Sequence, residues 1–249
     1  GRLEEYPLLV VPEWEYLTPK FLNELLAYVN GGGNLLLIGP RSTALFASAT
    51  GVTVAGESKT ETRYLAHGGV VTTVKGQALS LNLNKPMQTI GQLHATNDVN
   101  SPSQPAALVM QLGKGRIAAT SFDLGQEYAK SRNAGLRQFL DDLTWELFPA
   151  PLVQVQGSHN VDVVVARKEG KLLVNLVNTS GAHQTAGIIE TIPAVESLTV
   201  AIRHRTRPAK LTLEPGGRPL AFYYEAGEIR LTVPRLEIHD IIVVPPNER

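Results

Sequence analysis

Residues 6–38 read YPLLVVPEWEYLTPKFLNELLAYVNGGGNLLLI, and this stretch decides the fold of the first part of the chain. The run at 6–11 is apolar throughout, which is typical of a strand buried on both faces of a parallel sheet. Thr18 and Pro19 are a preferred N-cap and first helical residue, and apolar residues then recur at helical spacing up to a run of glycines. Residues 34–38 form a second apolar run. The stretch therefore predicts a β-α-β unit.

Beyond this unit the sequence pattern becomes mainly one of strands. Residues 43–49 predict one more short helix, whereas residues 52–83 alternate and are rich in β-branched side chains, which predicts antiparallel hairpins. Residues 85–105 are rich in Asn, Ser and Pro and predict an irregular loop. The turn Gly-Lys-Gly between AALVMQL and RIAATSF predicts a hairpin. Residues 133–148 carry apolar residues at helical spacing and predict a helix that packs on the sheet.

A domain boundary is predicted where Pro149 and Pro151 end the last helix and stiffen the chain. The first domain then comprises residues 1–149 and the second residues 150–249. All of the second domain consists of short strand patterns separated by turn residues, at the spacing of an antiparallel β-sandwich. The predicted fold class is thus an α/β domain followed by an all-β domain.

The composition narrows the classes of partner and chemistry. Lys plus Arg equals Asp plus Glu, at 23 each, so no net charge attracts nucleic acid or an anionic membrane surface. The chain has no cysteine, which excludes disulfides, thiolate metal sites and cysteine nucleophiles. No apolar run reaches the about 20 residues that a spanning helix needs. We therefore expect a soluble protein without nucleic-acid or membrane partners. The sequence does not determine its compartment, and a larger parent protein could be secreted or periplasmic.

Three stretches together resemble a known arrangement. They are residues 6–40, the segment GKGRIAATSFDLGQEY at 113–128 and the segment LEIHDIIVVPP at 236–246. They are similar to the C-terminal accessory region of glycoside hydrolases, especially family 42 β-galactosidases. In that region a domain with the class I glutamine amidotransferase-like fold, of flavodoxin-like type, is followed by a small β-sandwich. The first of these is called the trimerisation domain. The resemblance implies oligomerisation or a supporting role, without chemistry of its own.

The first domain departs from the complete amidotransferase-like fold, because only five residues precede the strand at 6–11. Either the chain is a fragment or the sheet is abbreviated. Gly1 in place of Met and the need to cover both faces of parallel strands favour a fragment. We expect the helices at 20–29 and 133–148 to cover one face, so that the other needs the hairpin region, an upstream segment or a neighbouring subunit. In isolation the chain would then self-associate or expose an apolar patch.

Glu13, Trp14 and Glu15 are the first candidate binding residues. They follow the first strand, and open α/β sheets bind ligands at the carboxyl ends of their strands. Two carboxylates beside an aromatic ring also suit a glycosidase, in which they act as acid and base or nucleophile while the ring stacks on a sugar. The alternative is that the carboxylates lie on a solvated loop and that the indole covers the following helix or a subunit contact.

Asp123 and Ser42 are two further candidates with structural alternatives. Asp123, followed by Glu127, lies at the carboxyl end of its strand if that strand is parallel to the others, and in a hairpin edge it would instead cap a helix. An amidotransferase requires an activated cysteine at the turn after the second strand, where this chain has Gly-Pro-Arg-Ser. Ser42 would replace the thiol there, or Ser42 or Thr43 would cap a helix, and no G-x-S-x-G pattern surrounds it.

Tyr223 is the candidate in the second domain. Because alternate residues of a strand face opposite sides, Phe222 and Tyr224 are expected on one face and Tyr223 on the other, where it would offer a platform for a carbohydrate. A nearby basic cluster is expected to be a solvated strand edge or a contact for an anionic sugar; it consists of Arg203, His204, Arg205 and Arg207. The six histidines, His183 among them, lack the spacing of metal ligands, so no metal and no cofactor are predicted.

Three functions follow from these observations. The first is a non-catalytic accessory and oligomerisation region of a larger carbohydrate-active enzyme, whose partner is an upstream catalytic domain or another subunit. The second is a carbohydrate-binding module. The third is a glycosidase or esterase that uses Glu13, Glu15, Asp123 or Ser42, and glycosidase carboxylates must stand about 5 to 10 Å apart across one cleft.

Overall fold

The computed structural model of the chain describes residues 2–84, 86–181 and 191–246. The chain divides into two compact units, Gly1–Pro149 and Ala150–Arg249. The first unit combines helices with a sheet, and the second is built from strands over its described residues. The predicted order of an α/β unit followed by a β-sandwich is therefore observed.

The first unit contains one mixed sheet. Over residues 2–84 and 86–149 its strands are β1 (Leu8–Pro12), β2 (Asn34–Ile38), β3 (Val52–His67), β4 (Val70–Leu83), β5 (Gln88–His94), β6 (Ser103–Leu112) and β7 (Gly115–Thr120). They lie in the order β1-β2-β7-β6-β5-β3-β4. The pairs β1–β2 and β2–β7 are parallel, and the remaining pairs are antiparallel. The predicted hairpins over 52–83 and around residue 114 are confirmed.

Helices cover both faces of the parallel strands. They are α1 (Pro19–Gly31), α2 (Pro40–Leu45), α3 (Ala47–Thr50), α4 (Leu124–Ser131) and α5 (Ala134–Leu147). Side chains of α1 pack with Leu35 and Leu37 of β2, whereas those of α5 pack in a second cluster with Leu36. Since successive strand residues face opposite sides, the two helices lie on opposite faces. The prediction that they share one face was wrong, and the chain itself covers both faces of β2.

The first strand differs from its prediction because it lies at the edge of the sheet. Val11 is buried, but Val10 is 49% exposed and Pro12 is exposed. Alternation places these two on the face occupied by α5, which does not extend over them. Burial on both faces, expected for residues 6–11, was therefore wrong, and one face of β1 stays partly open together with its backbone edge.

Two local predictions also need correction. The helix expected over 43–49 begins at Pro40, after Gly39, and is interrupted at Phe46. The irregular loop expected over 85–105 contains β5 and the start of β6, while Lys85 lies outside the described residues. Proline and asparagine suggested a loop there, but pairing with neighbouring strands overrides that local preference.

The second unit is an antiparallel β-sandwich. Its described strands are β8 (Val153–Gln156), β9 (Val161–Lys168), β10 (Lys171–Asn178), β11 (Val195–Arg203), β12 (Thr212–Glu214), β13 (Arg218–Pro219), β14 (Phe222–Glu225), β15 (Glu228–Leu236) and β16 (His239–Val244). One sheet has the order β13-β12-β16-β10-β9 and the other β14-β15-β11-β8. Their inward side chains form one apolar core that includes Val174, Val200 and Ile242.

Candidate functional site

Three loops meet at the carboxyl edge of the parallel strands. Glu13 follows β1, Gly39 and α2 follow β2, and Asp123 lies three residues beyond β7. Because β1, β2 and β7 are neighbours and run in the same direction, their carboxyl ends lie side by side. Ligands bind open α/β sheets at this kind of edge. Four of the five predicted site residues are on these loops, and we call them the carboxyl-edge group: Glu13, Trp14, Glu15 and Asp123.

Glu13 has an unusual backbone and an enclosed carboxyl group. Its φ is +37°, a left-handed value that costs a non-glycine residue energy. Its N–H donates to the carbonyl of Ile38 at 2.7 Å. Its Oε1 accepts from the N–H of Arg41 at 3.4 Å, and its Oε2 is buried without a hydrogen-bond donor among the described residues. Gly39 has φ +96°, which strains any other residue, and a Cβ there would also overlap Oε2 unless the Glu13 side chain moved.

The surroundings of Glu13 favour its neutral form. Burial is the main cause that raises the pKa of the Glu13 carboxyl, and the negative charge of Asp123 raises it further. The Arg41 N–H and the Arg41 guanidinium, whose Nε lies 3.7 Å from Oε1, act in the opposite direction. Arg41 also forms an ion pair with the exposed carboxylate of Glu15. Arg41 thus contacts both glutamates, a role that no sequence pattern indicated.

Trp14 and Ser42 are joined by a hydrogen bond that decides the role of the serine. The Trp14 N–H donates to Ser42 Oγ at 2.8 Å, and Ser42 is fully buried. Its hydroxyl therefore anchors the loop after β1, and the prediction that Ser42 or Thr43 caps the helix was wrong, since both lie within α2. The Trp14 ring lies 6.3 Å from that of Phe21, yet 46% of the residue stays exposed.

Asp123 combines both positions that the sequence allowed. Its strand β7 is parallel to β2 and antiparallel to β6, so Asp123 lies at the carboxyl edge and also caps α4. Its Oδ1 accepts from the N–H of Gln126 at 3.3 Å. Burial is the largest cause that raises the pKa of the Asp123 carboxyl, and the Gln126 N–H partly offsets it. The Asp123 side chain thus has a structural role as the N-cap of α4.

The remaining polar groups at the edge have structural partners. Thr120 Oγ1 accepts from the N–H of Gly39 at 2.7 Å, and Thr43 Oγ1 donates to the Thr120 carbonyl at 2.7 Å. Glu127 accepts from the N–H of Lys75 at 2.8 Å. The cavity beside Asp123 has a volume of about 10 Å³, which is room for one water molecule and too small for a sugar ring.

Tyr223 belongs to the second unit and lies where alternation predicts it. Phe222 and Tyr224 pack against the sandwich core, and Tyr223 is 82% exposed on the outer face of β14. The Tyr224 hydroxyl donates to the carbonyls of His204 and Arg205 at 3.1 and 2.9 Å. These bonds tie the basic loop to the sheet through its backbone.

The basic cluster has a structural role at the end of β11. The Arg203 N–H donates to the Leu152 carbonyl at 2.9 Å, and the Arg207 guanidinium lies 5.3 Å from the centre of the Phe222 ring. In the part of the chain that the structure describes, no three His, Asp or Glu side chains form a group able to hold a metal ion; His183 lies outside that part. Among the described residues, no helix combines the length and apolar character needed to cross a membrane.

Comparisons with known proteins give similarity at the level of structure. No protein-family model matches the sequence, and no curated protein shows significant sequence similarity to it. The fold is similar to that of α-L-fucosidase isoenzyme 2 from Paenibacillus thiaminolyticus, with 18% identity and a TM-score of 0.80 over 100% of this chain and 42% of that chain. It is also similar to the GH42 β-galactosidase Gan42B from G. stearothermophilus, with 15% identity and a TM-score of 0.64 over 98% of this chain and 33% of that one.

A third structure agrees with these two. It is the β-galactosidase from Bacillus circulans sp. alkalophilus, with 13% identity and a TM-score of 0.60 over 98% of this chain and 34% of that one. Identities this low establish a shared fold only. The chain spans less than half the length of each of these structural neighbours, which are glycoside hydrolases, and this is consistent with an accessory region of a larger protein.

Proposed function

We propose that this chain is a non-catalytic accessory region of a larger glycoside hydrolase. The observation that carries the proposal is the extent of the fold similarity, which includes 98–100% of this chain but only 33–42% of each neighbour. The rest of such an enzyme is long enough to contain a catalytic domain. That the larger protein hydrolyses glycosides is part of the same proposal.

The contacts of the carboxyl-edge group favour a structural role for these side chains over catalysis. Asp123 caps α4, Glu13 is enclosed between Gly39 and Arg41, and the hydroxyl of Ser42 is buried against the Trp14 backbone. A nucleophile must be exposed beside a base, and a glycosidase acid and base must border a cleft that admits a sugar. The cavity beside Asp123 has about 10 Å³ and is not lined by Glu13 or Glu15, so it is not a cleft between these carboxylates.

We assign the first unit, as part of the same proposal, to the class I glutamine amidotransferase-like type within the flavodoxin-like folds. Support comes from the parallel strands β1, β2 and β7 and from helices on both faces. The antiparallel strands β3 to β6 depart from a fully parallel sheet. On this assignment the unit provides association with a catalytic domain or another subunit.

The experiment is an activity assay of the purified chain with aryl glycosides, aryl esters and glutamine. We expect no turnover above the uncatalysed background, because Ser42 is buried and Glu13 and Asp123 are held by backbone N–H groups. Turnover that Glu13→Gln or Asp123→Asn abolishes would assign glycosidase chemistry to the edge, and turnover that Ser42→Ala abolishes would assign esterase chemistry. Glu24→Gln is the matched control, since this exposed carboxylate of α1 lies outside the carboxyl-edge group.

A further inference from the structure

The outer face of the four-stranded sheet of the second unit carries a row of residues that are polar except for Ala201. The register pairs Tyr223 with Arg230, Arg230 with Ala201 and Ala201 with Gln154, so one row crosses β14, β15, β11 and β8. Their neighbours along each strand, such as Leu231 of β15, point into the core. Residues that alternate along strands line one face, so this row belongs to the outer surface of the sandwich.

A groove follows this row. One depression of about 300 Å³ is lined by Gln154 and Gln156, and another of about 610 Å³ is lined by Tyr223. Thr199 and Arg230 line both depressions, so the two adjoin across the sheet. Each has a volume within or near the range of small-molecule sites. The shared residues make a single elongated site out of two shallow ones.

The lining chemistry fits a polyhydroxylated ligand. Tyr223 exposes 82% of its surface at one end of the groove, and the electron-rich face of such a ring attracts the C–H groups on the apolar side of a pyranose. The amides of Gln154 and Gln156 and the hydroxyl of Thr199 each donate and accept hydrogen bonds, as sugar hydroxyls do. An aromatic platform followed by such groups is the pattern that a sugar chain needs.

The charges in the groove indicate that the ligand is neutral. Glu228 and Arg230 are the charged residues that line the two depressions. They form an ion pair, with Arg230 Nε donating to Glu228 Oε1 at 2.6 Å. This pair leaves the lining without net charge, and no hydrogen bond joins the terminal nitrogens of Arg230 to another described residue. The guanidinium, with 69% of its side chain exposed, therefore keeps donors for a ligand oxygen.

We propose that this groove, from Tyr223 across Arg230 and Thr199 to Gln154 and Gln156, binds a neutral oligosaccharide that runs across the strands. Four strands spaced by about 4.8 Å give a width of about 14 Å, which accommodates about three sugar units. The proposal deepens the proposed function and rests on it, since an accessory region of a glycoside hydrolase meets sugar chains. It adds a site that holds the chain without cleaving it.

The test is titration of the full chain with neutral β-1,4-galactotetraose and xylotetraose and with anionic trigalacturonate, followed by calorimetry and amide NMR. We expect saturable binding of at least one neutral probe below about 10 mM, with shift changes along β8, β11, β14 and β15. Tyr223→Ala and Arg230→Ala should each weaken it about tenfold, whereas Tyr223→Phe should keep affinity within about threefold because the ring face is retained.

Matched controls keep the test independent of folding. Tyr16→Ala removes another exposed tyrosine, from the first unit, and should leave binding unchanged. Because Tyr223 and Arg230 are exposed, their variants should keep the parent's unfolding midpoint. The proposal is overturned if no neutral probe binds, if trigalacturonate binds tighter, or if both alanine variants bind like the parent.

The outcome is separate from that of the proposed function. Sugar hydrolysis is measured by chromatography of the same titration samples. Binding with cleavage would refute the non-catalytic role and leave the groove standing. Absence of both binding and cleavage would refute the groove and leave the accessory role standing.

Discussion

Glu13 concentrates several energetically unfavourable features in one residue. Its left-handed backbone costs roughly 1 kcal/mol, and one oxygen of its carboxyl is buried without a donor among the described residues. Such features are retained where the surrounding structure requires them. Here the turn at Glu13 leads into Trp14, whose ring lies 6.3 Å from that of Phe21 while 46% of the residue stays exposed. We infer that this turn shapes the contact surface of the first unit.

The raised pKa of Glu13 leads to a prediction about pH. The folded chain binds this proton more tightly than the unfolded chain, so this carboxyl lowers the free energy of unfolding as the pH rises above the ordinary value of 4.5. Glu13→Gln removes the ionisation. The variant should be more stable than the parent by about 1 kcal/mol near pH 7, and the gain should vanish below about pH 4.

Urea unfolding followed by tryptophan fluorescence measures this effect, because both tryptophans, Trp14 and Trp145, belong to the first unit. Glu15→Gln, at an exposed carboxylate, should change the stability by less than about 0.5 kcal/mol at either pH. A Glu13→Gln variant that is less stable than the parent at neutral pH would show that the ion pair with Arg41 outweighs the cost of burial.

The sequence located these site residues but not their contacts. Their positions after apolar strands were enough to place Glu13, Trp14 and Asp123 at strand ends. The enclosure of Glu13 depends on Gly39 and Arg41 from another loop, and the role of Ser42 depends on where α2 begins. Both are set by the packing of separate segments, which a linear pattern does not contain.

At the scale of elements, strand β5 contains a glycine, Gly91, at a position where α5 approaches the sheet closely. Gly91 has φ +66°, which interrupts the regular alternation of the segment. A Cβ there would lie 2.9 Å from the Phe139 ring of α5 and 3.2 Å from Leu65 of β3. The close approach of helix to sheet thus requires glycine at this position. The same residues predicted a loop because the segment is rich in Asn, Ser and Pro, which weaken a local strand signal.

Substitution of two glycines separates the cost of packing from that of backbone conformation. Gly91→Ala should destabilise the first unit by about 2 to 4 kcal/mol, since it adds overpacking to an unfavourable φ. Gly68→Ala, at φ +58° in the β3–β4 turn with no atom within 4 Å of its Cβ, should cost only about 1 kcal/mol. Urea unfolding by tryptophan fluorescence gives both values, and equal losses would contradict the packing argument.

Regular elements were predicted where several local signals agree. Helix α1 has Thr18 as N-cap, whose Oγ1 accepts from the Phe21 N–H at 3.3 Å, and helix α5 is capped by Asn133. Helix α2 was misplaced because Gly39 and Pro40 look like a turn, although proline suits the first helical position. The alternation of β2 side chains predicts that both faces need cover, but that α1 packs on one face and α5 on the other is set by tertiary packing.

At the scale of the molecule, the two compact units each have their own core, and we propose that they are separate domains that meet at residues 149 and 150. Over the described residues of the first unit, β1 lies at an edge of the sheet with no strand beyond it, and exposed apolar residues flank it: Tyr6, Val10, Trp14 and Tyr16. An unpaired edge offers backbone N–H and C=O groups to a partner, and exposed aromatic residues are enriched at interfaces. This surface, which we call the β1 edge, is where we place association with another folded surface.

The β1 edge can be tested by a charge placed at its centre. Val10→Lys should lower the average mass measured by light scattering over a concentration series, because burial of an unpaired ammonium opposes association. Val70→Lys is the matched control, since Val70 is also an exposed strand valine of the first unit, at 55%, and should leave the mass unchanged. A parent chain that stays monomeric at every concentration would contradict association between copies and leave the catalytic domain as partner. Association that both variants retain equally would exclude the β1 edge, because a contact through this surface cannot tolerate the lysine at position 10.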